Sequence, residues 1–436
     1  MMACMMTLRL RWTRTLLSVK QLCAVVTLAF LATHAGGAEK LKLLLMASSG
    51  TQRTSWMQMV DAFEKANPHI QVESTVLEQE QYKRDFESII RREAIDVAFW
   101  FAGERLRRIQ QSGALDPIES GLAKEVGDVV FTRASWDSVR YGSQHFAWPL
   151  SYYAWGFLYS RYQFAKLGLR VPTQWRELLA ISKRLHDAGV APFAVGAGAG
   201  WPAAAWFDYL NLRMNGLEFH RRLLVGQESF FDRRVSQVLT EWKMLLSKGY
   251  FLNETIDKDW DSVLPYLYRQ KTGMVLLGGF AVGKIPTIGP GGLDLRSDID
   301  FFPFPQFAKS VGRFEDAPLD VLVLPAKGKN RPAALQFLQF VATSGQLSSF
   351  NGASGMLAPL SGSMREGART MRSAKDALDR ADGLAFFFDR DARTEAVPAA
   401  LDAFRRFLIP PHNVPELQAA LERAMQNAKA DSPSFR

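Results

Sequence analysis

A chain of 436 residues is too long for a single hydrophobic core, so two or three domains are expected. Apolar residues make up 47% and charged residues 22%, the balance of an ordinary folded soluble protein. The net charge of +9 is too mild for a nucleic-acid-binding chain, and the 12% of aromatic residues suits either a ring-stacking site or a dense core.

Residues 1–38 read as a secretory signal. Arg9, Arg11, Arg14 and Lys20 form a basic region without an acid, Leu22 to Leu31 is an apolar core, and small residues follow from Thr33 to Ala38. The apolar run is too short for a membrane span, and no later run reaches the ~18 apolar residues a span needs. Cleavage near Ala35 or Ala38 is expected to release a periplasmic chain. Its net charge would be +5, the four basic residues of the signal being lost from +9. Both cysteines, Cys4 and Cys23, fall inside the signal, which excludes structural disulfides and thiolate metal sites beyond it. Cys23 begins the apolar core instead of ending it, so a lipid anchor is not expected.

Lys40 to Ala47 reads as a buried first strand, followed by the polar turn Ser48–Thr51. Trp56, Met59, Val60 and Phe63 recur at helical spacing and stop before Pro68. Ile70 to Val76 alternates as a second strand, Tyr82 to Ile90 is helical, and Ile95 to Phe101 is a third strand. Such alternation predicts a mainly parallel sheet flanked by helices, with ligand at the carboxyl ends of the strands. Farther on, the Gly-rich run Gly196–Gly200 predicts a tight turn before Trp201. Val235, Val238, Leu239, Trp242, Leu245 and Leu246 mark an amphipathic helix with Asp232 as its N-cap. Asn330 to Phe340 reads as a helix with Pro332 in its first turn. Beyond Gly355 the chain turns helical and polar.

Several motifs carry a resemblance. In Ala147 to Leu185, Pro149, Leu158, Tyr159, Phe164, Gly168, Leu169, Pro172, Thr173, Trp175, Glu177 and Leu178 stand in order. Asp96-Val97, the phrase Gly113 to Ile118, Gly200-Trp201-Pro202, Gly249-Tyr250-Phe251, the Lys271 to Phe280 strand and Ile299 to Pro305, placed as a strand that returns to the first lobe, add to it. Together they resemble the extracellular solute-binding proteins of family 1, the maltose-binding-protein type of sugar receptor for ABC importers. Ser160 and Arg161 depart from the Tyr-Asn pair usual in that family.

The resemblance implies a periplasmic-binding-protein-like α/β fold of two discontinuous lobes. Residues 39–148 plus 300–345 would form lobe 1, and 152–295 plus 352–436 lobe 2, with hinges near 149–151, 296–302 and 346–351. It also implies a monomeric receptor with a sugar-like solute and ABC permease subunits as partners. It implies no cofactor, no metal, no catalysis and no nucleic acid.

Other chemistries fit poorly. Gly278-x4-Gly283-Lys284 outlines a phosphate loop, but Ile285 stands where a magnesium-binding hydroxyl is needed. No paired histidine spacing or Gly-x-Ser-x-Gly elbow occurs. A secreted carbohydrate-active enzyme and a sensory receptor of the same fold stay open as alternatives. Sugars offer C–H faces to aromatic rings and a rim of hydroxyls to carboxylates, amides and guanidinium groups. Candidate ring platforms are Trp100, Tyr152, Tyr153, Trp155, Trp201, Trp206 and Phe280, with Gly279 beside the last. Candidate rim groups are Ser49, Gln52, Arg53, Glu104, Arg105 and Asp208. Asp96 has an alternative role as a cap at the base of its strand.

N-terminal sequencing of exported material should show a first residue between Gly36 and Lys40; recovery of an uncleaved membrane-embedded chain would reject the signal reading.

Overall fold

The computed structural model describes residues 39–47, 50–362 and 369–431. The expected signal, Cys4, Cys23, Ser48 and Ser49 lie outside them. No helix among the described residues is long and apolar enough to cross a membrane.

Two sheets organise the chain. Its strands, in order, are β1 (Glu39–Ala47), β2 (Ile70–Glu78), β3 (Val97–Phe101), β4 (Leu115–Asp116), β5 (Arg140–Tyr141), β6 (Gln144–His145), β7 (Trp148–Tyr152) and β8 (Trp155–Ser160). They continue as β9 (Ala191–Ala194), β10 (Thr272–Gly278), β11 (Ile299–Phe302), β12 (Phe314–Asp316), β13 (Leu319–Pro325) and β14 (Gly383–Ala385). The first sheet runs β2-β1-β3-β13-β4, with β7 also on β13. The second runs β11-β8-β10-β9. Both are mixed. β1 is parallel to β2 and β3, and β10 to β9, whereas β13 and β8 run against their neighbours.

The first sheet forms because β1 and β3 are apolar on both faces. Leu43 to Ala47 and all five residues of β3 are buried, as strands covered by helices on two sides must be. Trp56 Nε1 donates to the Met46 carbonyl at 2.8 Å, and the Tyr82 hydroxyl to the Leu44 carbonyl at 3.2 Å. These bonds give two large buried rings polar partners. Asp96 clasps the base of this half. One carboxylate oxygen accepts from Lys42 N at 2.8 Å, the other from Lys329 N at 2.7 Å and Asn330 N at 2.8 Å. That is the strand-base role its position before β3 suggested.

Local capping explains the Pro-Thr-x-Trp-x-Glu phrase. Glu177 accepts from Thr173 N at 2.8 Å and Gln174 N at 3.1 Å, closing a capping box on the Trp175–Asp187 helix. Trp175 Nε1 then donates to Glu241 at 2.6 Å and fixes that helix to the Arg233–Ser247 helix. Ser160, at the departure from the family pattern, caps the following helix by accepting from Gln163 N at 3.1 Å. It also donates to Asp298 at 2.6 Å.

Two expected boundaries move. Ile299 to Pro305 was expected to return to the first lobe, but its strand, Ile299–Phe302, pairs with β8, Phe301 opposite Leu158. It therefore belongs to the second sheet, and the chain passes to the first sheet between Phe302 and Leu319. Its four residues are all buried, so hydrophobicity could not say which sheet they join. The Ser344–Ser354 helix likewise stays with the first half, where Phe350 packs on Trp56 with centroids 4.5 Å apart. The chain stays with the first half as far as Ser361, whose N–H donates to the Val130 carbonyl, later than the expected 346–351 hinge, and the Arg369–Asp379 helix packs on β11 through Thr370, which donates to the Ile299 carbonyl.

The Trp201–Leu224 helix is the spine of the second half. Pro202 to Arg213 are buried without a break, so for three turns it is surrounded by protein. Arg213, 0% exposed, makes a two-point pair with Glu315 at 2.7 and 2.8 Å and donates to the carbonyls of Phe304 and Phe314. Removing one member of a buried pair strands the other charge. Arg213→Met should therefore cost about 3–5 kcal/mol in urea unfolding. The double variant R213M/E315L should recover part of that loss, since it removes the stranded charge but not the two carbonyls left without their donor.

Candidate functional site at the meeting of the two sheets

The carboxyl end of β3, the start of β13 and the end of β7 open toward the second half. Asp320 stands opposite Phe101 in the sheet register. From the second half come Tyr153, the turn Gly278–Phe280 after β10, and the start of the Trp201 helix. Between them runs Phe386–Asp391, extended at Phe386 and Phe387 and helical from Phe388.

Each residue of that segment has a separate destination. Phe386 lines an open cavity. Phe387 lies on Trp155, centroids 4.0 Å apart. Phe388 enters the core of the second half against Phe404 at 5.2 Å, and its N–H donates to Asp208 at 2.9 Å. The Asp389 carbonyl accepts from Arg105 at 3.3 Å. Arg390 donates to Asp320 at 3.0 Å and to the Tyr153 hydroxyl at 2.9 Å, with its guanidinium 4.7 Å from the Phe101 ring centre. Asp391 accepts from Glu104 N at 3.3 Å.

Gly103 makes that last contact possible. Its φ is +86°, and a Cβ there would lie 2.4 Å from the Asp391 carboxylate. Only glycine supplies both the left-handed backbone and the space.

Around Tyr153 the second half presents a nest of rings. Tyr153 and Phe280 meet edge to face at 5.2 Å, Phe280 and Trp260 at 5.0 Å, and Trp201 and Trp155 at 5.6 Å. Trp155 is buried, whereas Tyr153, Trp201, Trp260 and Phe280 are half-exposed. Gly279 is buried behind them, its N–H bonded to the Ala154 carbonyl at 3.0 Å. Half-exposed rings beside a guanidinium, a carboxylate and a phenol can cover a C–H face and bond a rim of hydroxyls.

On the other side of the segment lies a cavity of about 460 Å³. Glu104, Arg107 and Tyr141 line it from the first half, and Arg221, Asp382 and Asp391 from the second. Glu104 holds Arg107 at 2.5 and 2.7 Å. The volume lies within the ordinary range for a small-molecule pocket.

Electrostatics follow burial. Desolvation works against the Arg390 charge, but Tyr153, Asp320 and Asp389 outweigh it and hold the guanidinium above the ordinary arginine value. Burial pushes the Asp320 carboxyl up while Arg390 draws it back. Burial also pushes the Asp391 carboxyl up to about 6, against the pull of Arg221.

The expected site residues divide. Glu104, Arg105, Tyr153, Trp201, Gly279 and Phe280 lie where the two halves meet. Gln52 is buried in the first turn of the Gly50–Ala66 helix after β1. Ser49 lies outside the described residues. Three assignments are corrected. Trp100 is 5% exposed and stacks on Phe86 at 3.7 Å, because strand alternation turns it into the first core and gives Phe101 the facing position. Trp206 is fully buried among Phe193, Phe251 and Phe157. Asp208 is fully buried and serves to anchor Phe388. Tyr152 is buried, and exposed Arg53 bonds the Val76 carbonyl at 3.3 Å. Sequence reasoning missed Phe101, Trp260, Asp320, Phe387 and Arg390. The signal was available in Phe386 to Asp391, three phenylalanines followed by Asp-Arg-Asp inside an otherwise polar region.

Substitution should separate cleft from core. Trp201→Ala and Phe280→Ala should each weaken solute binding by roughly 1–3 kcal/mol, or about 5–150-fold, with a nearly unchanged ligand-free melting temperature. Buried Trp155→Ala should instead cost about 3–5 kcal/mol of stability. Calorimetric titration together with thermal melts distinguishes the two outcomes.

Known proteins resemble the chain as a whole. The family model for bacterial extracellular solute-binding proteins aligns with residues 47–347. An uncharacterised ABC-transporter extracellular-binding protein of Pyrococcus horikoshii is 22% identical over 329 residues, 74% of this chain and 72% of that one. The alpha-glucosides-binding periplasmic protein AglE of Rhizobium meliloti is 26% identical over 188 residues, covering 41% of this chain and 40% of its own. Among solved structures, the bacterial solute receptor AcbH superposes with a TM-score of 0.81 at 22% identity, covering 90% of this chain and 99% of its own. That receptor is described as having an exclusive preference for β-D-galactopyranose. With the family model spanning well over half of its length, this chain belongs to the bacterial extracellular solute-binding proteins, the solute-capturing components of ABC transporters.

Proposed function

We propose that this protein is a periplasmic receptor that captures a carbohydrate, or a related polyol or sugar derivative, and delivers it to the permease subunits of an ABC importer. The observation that carries the reading is the pairing of half-exposed rings, Tyr153, Trp201, Trp260 and Phe280, with the Arg390–Asp320 pair across the meeting of the sheets. Rings alone would suit any apolar solute, and charges alone any polar one. Their combination suits a ligand with apolar faces and a hydroxylated edge.

The halves are joined by short passages at Tyr153–Ala154 and at Ala317–Pro318, between β12 and β13, suited to a hinge. Solute would enter with the halves parted and be enclosed as they close. The relatives support the sugar reading: AglE is named for alpha-glucosides, and two further relatives are named probable sugar-binding periplasmic proteins. The receptor acts without turnover in this reading.

Calorimetry of the exported chain against mono- and disaccharides and polyols should give a saturable isotherm for at least one, with the solute recovered chemically unchanged. Product formed in proportion to protein, and lost on replacing one carboxylate, would favour an enzyme instead.

A further inference from the structure

The charges at the meeting of the sheets are arranged in pairs. Arg390 reaches the first half through Asp320, and that carboxylate is 2% exposed. The adjoining cavity follows the same rule. Arg107 is held by Glu104, Arg133 and Arg140 both approach Asp137 at 3.4 and 3.6 Å, and Arg221 acts on the Asp391 carboxylate. Four arginines and four carboxylates line that cavity. Neither region presents a net positive field toward a solute.

We propose that Asp320 makes this site select uncharged polyhydroxy solutes and reject their carboxylated counterparts. The inference rests on the sugar reading of the same site. A hydroxyl both donates and accepts, so a sugar rim can accept from Arg390 while donating to Asp320 or to the Tyr153 oxygen, leaving the ion pair intact. A uronate carboxylate only accepts. Its preferred partner is a two-point guanidinium, and the guanidinium that bridges the halves is already bonded to Asp320. Placed there, the anion lies beside a buried carboxylate. If it displaces Asp320, that carboxylate loses its partner in a region shielded from water. Lys83 and Arg105 also stand near the Phe101 ring, at 6.0 and 5.6 Å. Against them stand Asp389 and Asp391 on the bridging segment, so the local balance does not tip toward an anion.

The test uses the exported full-length chain and matched pairs: glucose with glucuronate, galactose with galacturonate, and threitol with threonate as a smaller pair. Dissociation constants are measured at pH 7.5 in constant salt. In each pair whose neutral member binds, the anion should bind roughly 30-fold or more weakly, the scale of a like-charge juxtaposition. Asp320→Asn should shrink that gap at least about tenfold, whereas Asp320→Glu should keep it. Circular dichroism checks the fold of each variant, and Asp320→Ser substitutes if Asn does not fold. Wild-type protein that binds anions as tightly as their neutral partners overturns the proposal and leaves the sugar reading standing. An unchanged gap in the folded neutral variants assigns Asp320 to holding the halves together and overturns its selective role. No binding by any member of any pair, nor by any disaccharide or polyol, rejects the sugar reading and this inference with it.

Discussion

A guanidinium removed from water must be matched on every side, and Arg390 draws its matches from both halves of the molecule. Asp320 and Phe101 belong to the first sheet, and Tyr153 follows β7 on the way to the second. Leaving one of these groups unpaired would cost far more than the net gain from the pair itself. The interaction therefore acts less as glue than as a registration device: it is satisfied in one relative placement of the sheets and in few others. Asp208 beneath Phe388 and Glu104 N at Asp391 hold the segment that delivers Arg390, so the core of each half helps to aim it.

Much of the architecture was legible because its causes are local. The apolar run of β1, the helical spacing from Trp56 to Phe63, the capping Glu177 and the clasping Asp96 each carry their physical reason within a few residues. The Gly-rich turn before Trp201 is equally plain in the structure. A Cβ on Gly196 would lie 2.4 Å from the Asp259 carbonyl, so close packing explains it.

What escaped the sequence has non-local causes. Ile299–Phe302 is apolar throughout, and only its partner β8 assigns it to a sheet. Trp100 and Phe101 are adjacent aromatic residues at a strand end, and which of them faces the other half depends on the pleat. Trp206 and Asp208 stand in a helix buried on all sides, a state that its mixed composition, with Asp208, Asn211 and Arg213, did not announce. Those polar groups are tolerated because a carbonyl, an amide or a carboxylate reaches them: Arg213 has Glu315, and Asn211 has His220 at 3.0 Å. His220 in turn is held neutral by burial, its imidazole pushed down to about 3. The Phe386–Asp391 segment stands out by composition alone. A short ordered crossing inside a polar helical region has no periodicity to detect.

That crossing also limits how the protein can change over evolutionary time. Phe386, Phe387, Phe388 and Arg390 go to a cavity, a ring nest, a core and an ion pair in turn. Deleting a single residue would hand every side chain the wrong address, sending Asp389 into the core and Asp391 against Asp320. Identity at one address is freer, because Phe387 rests against a ring nest whose other members are also open to replacement. Descendants of this receptor can therefore acquire new tastes by exchanging side chains on a frame of fixed length, while changes in that length are closed to them.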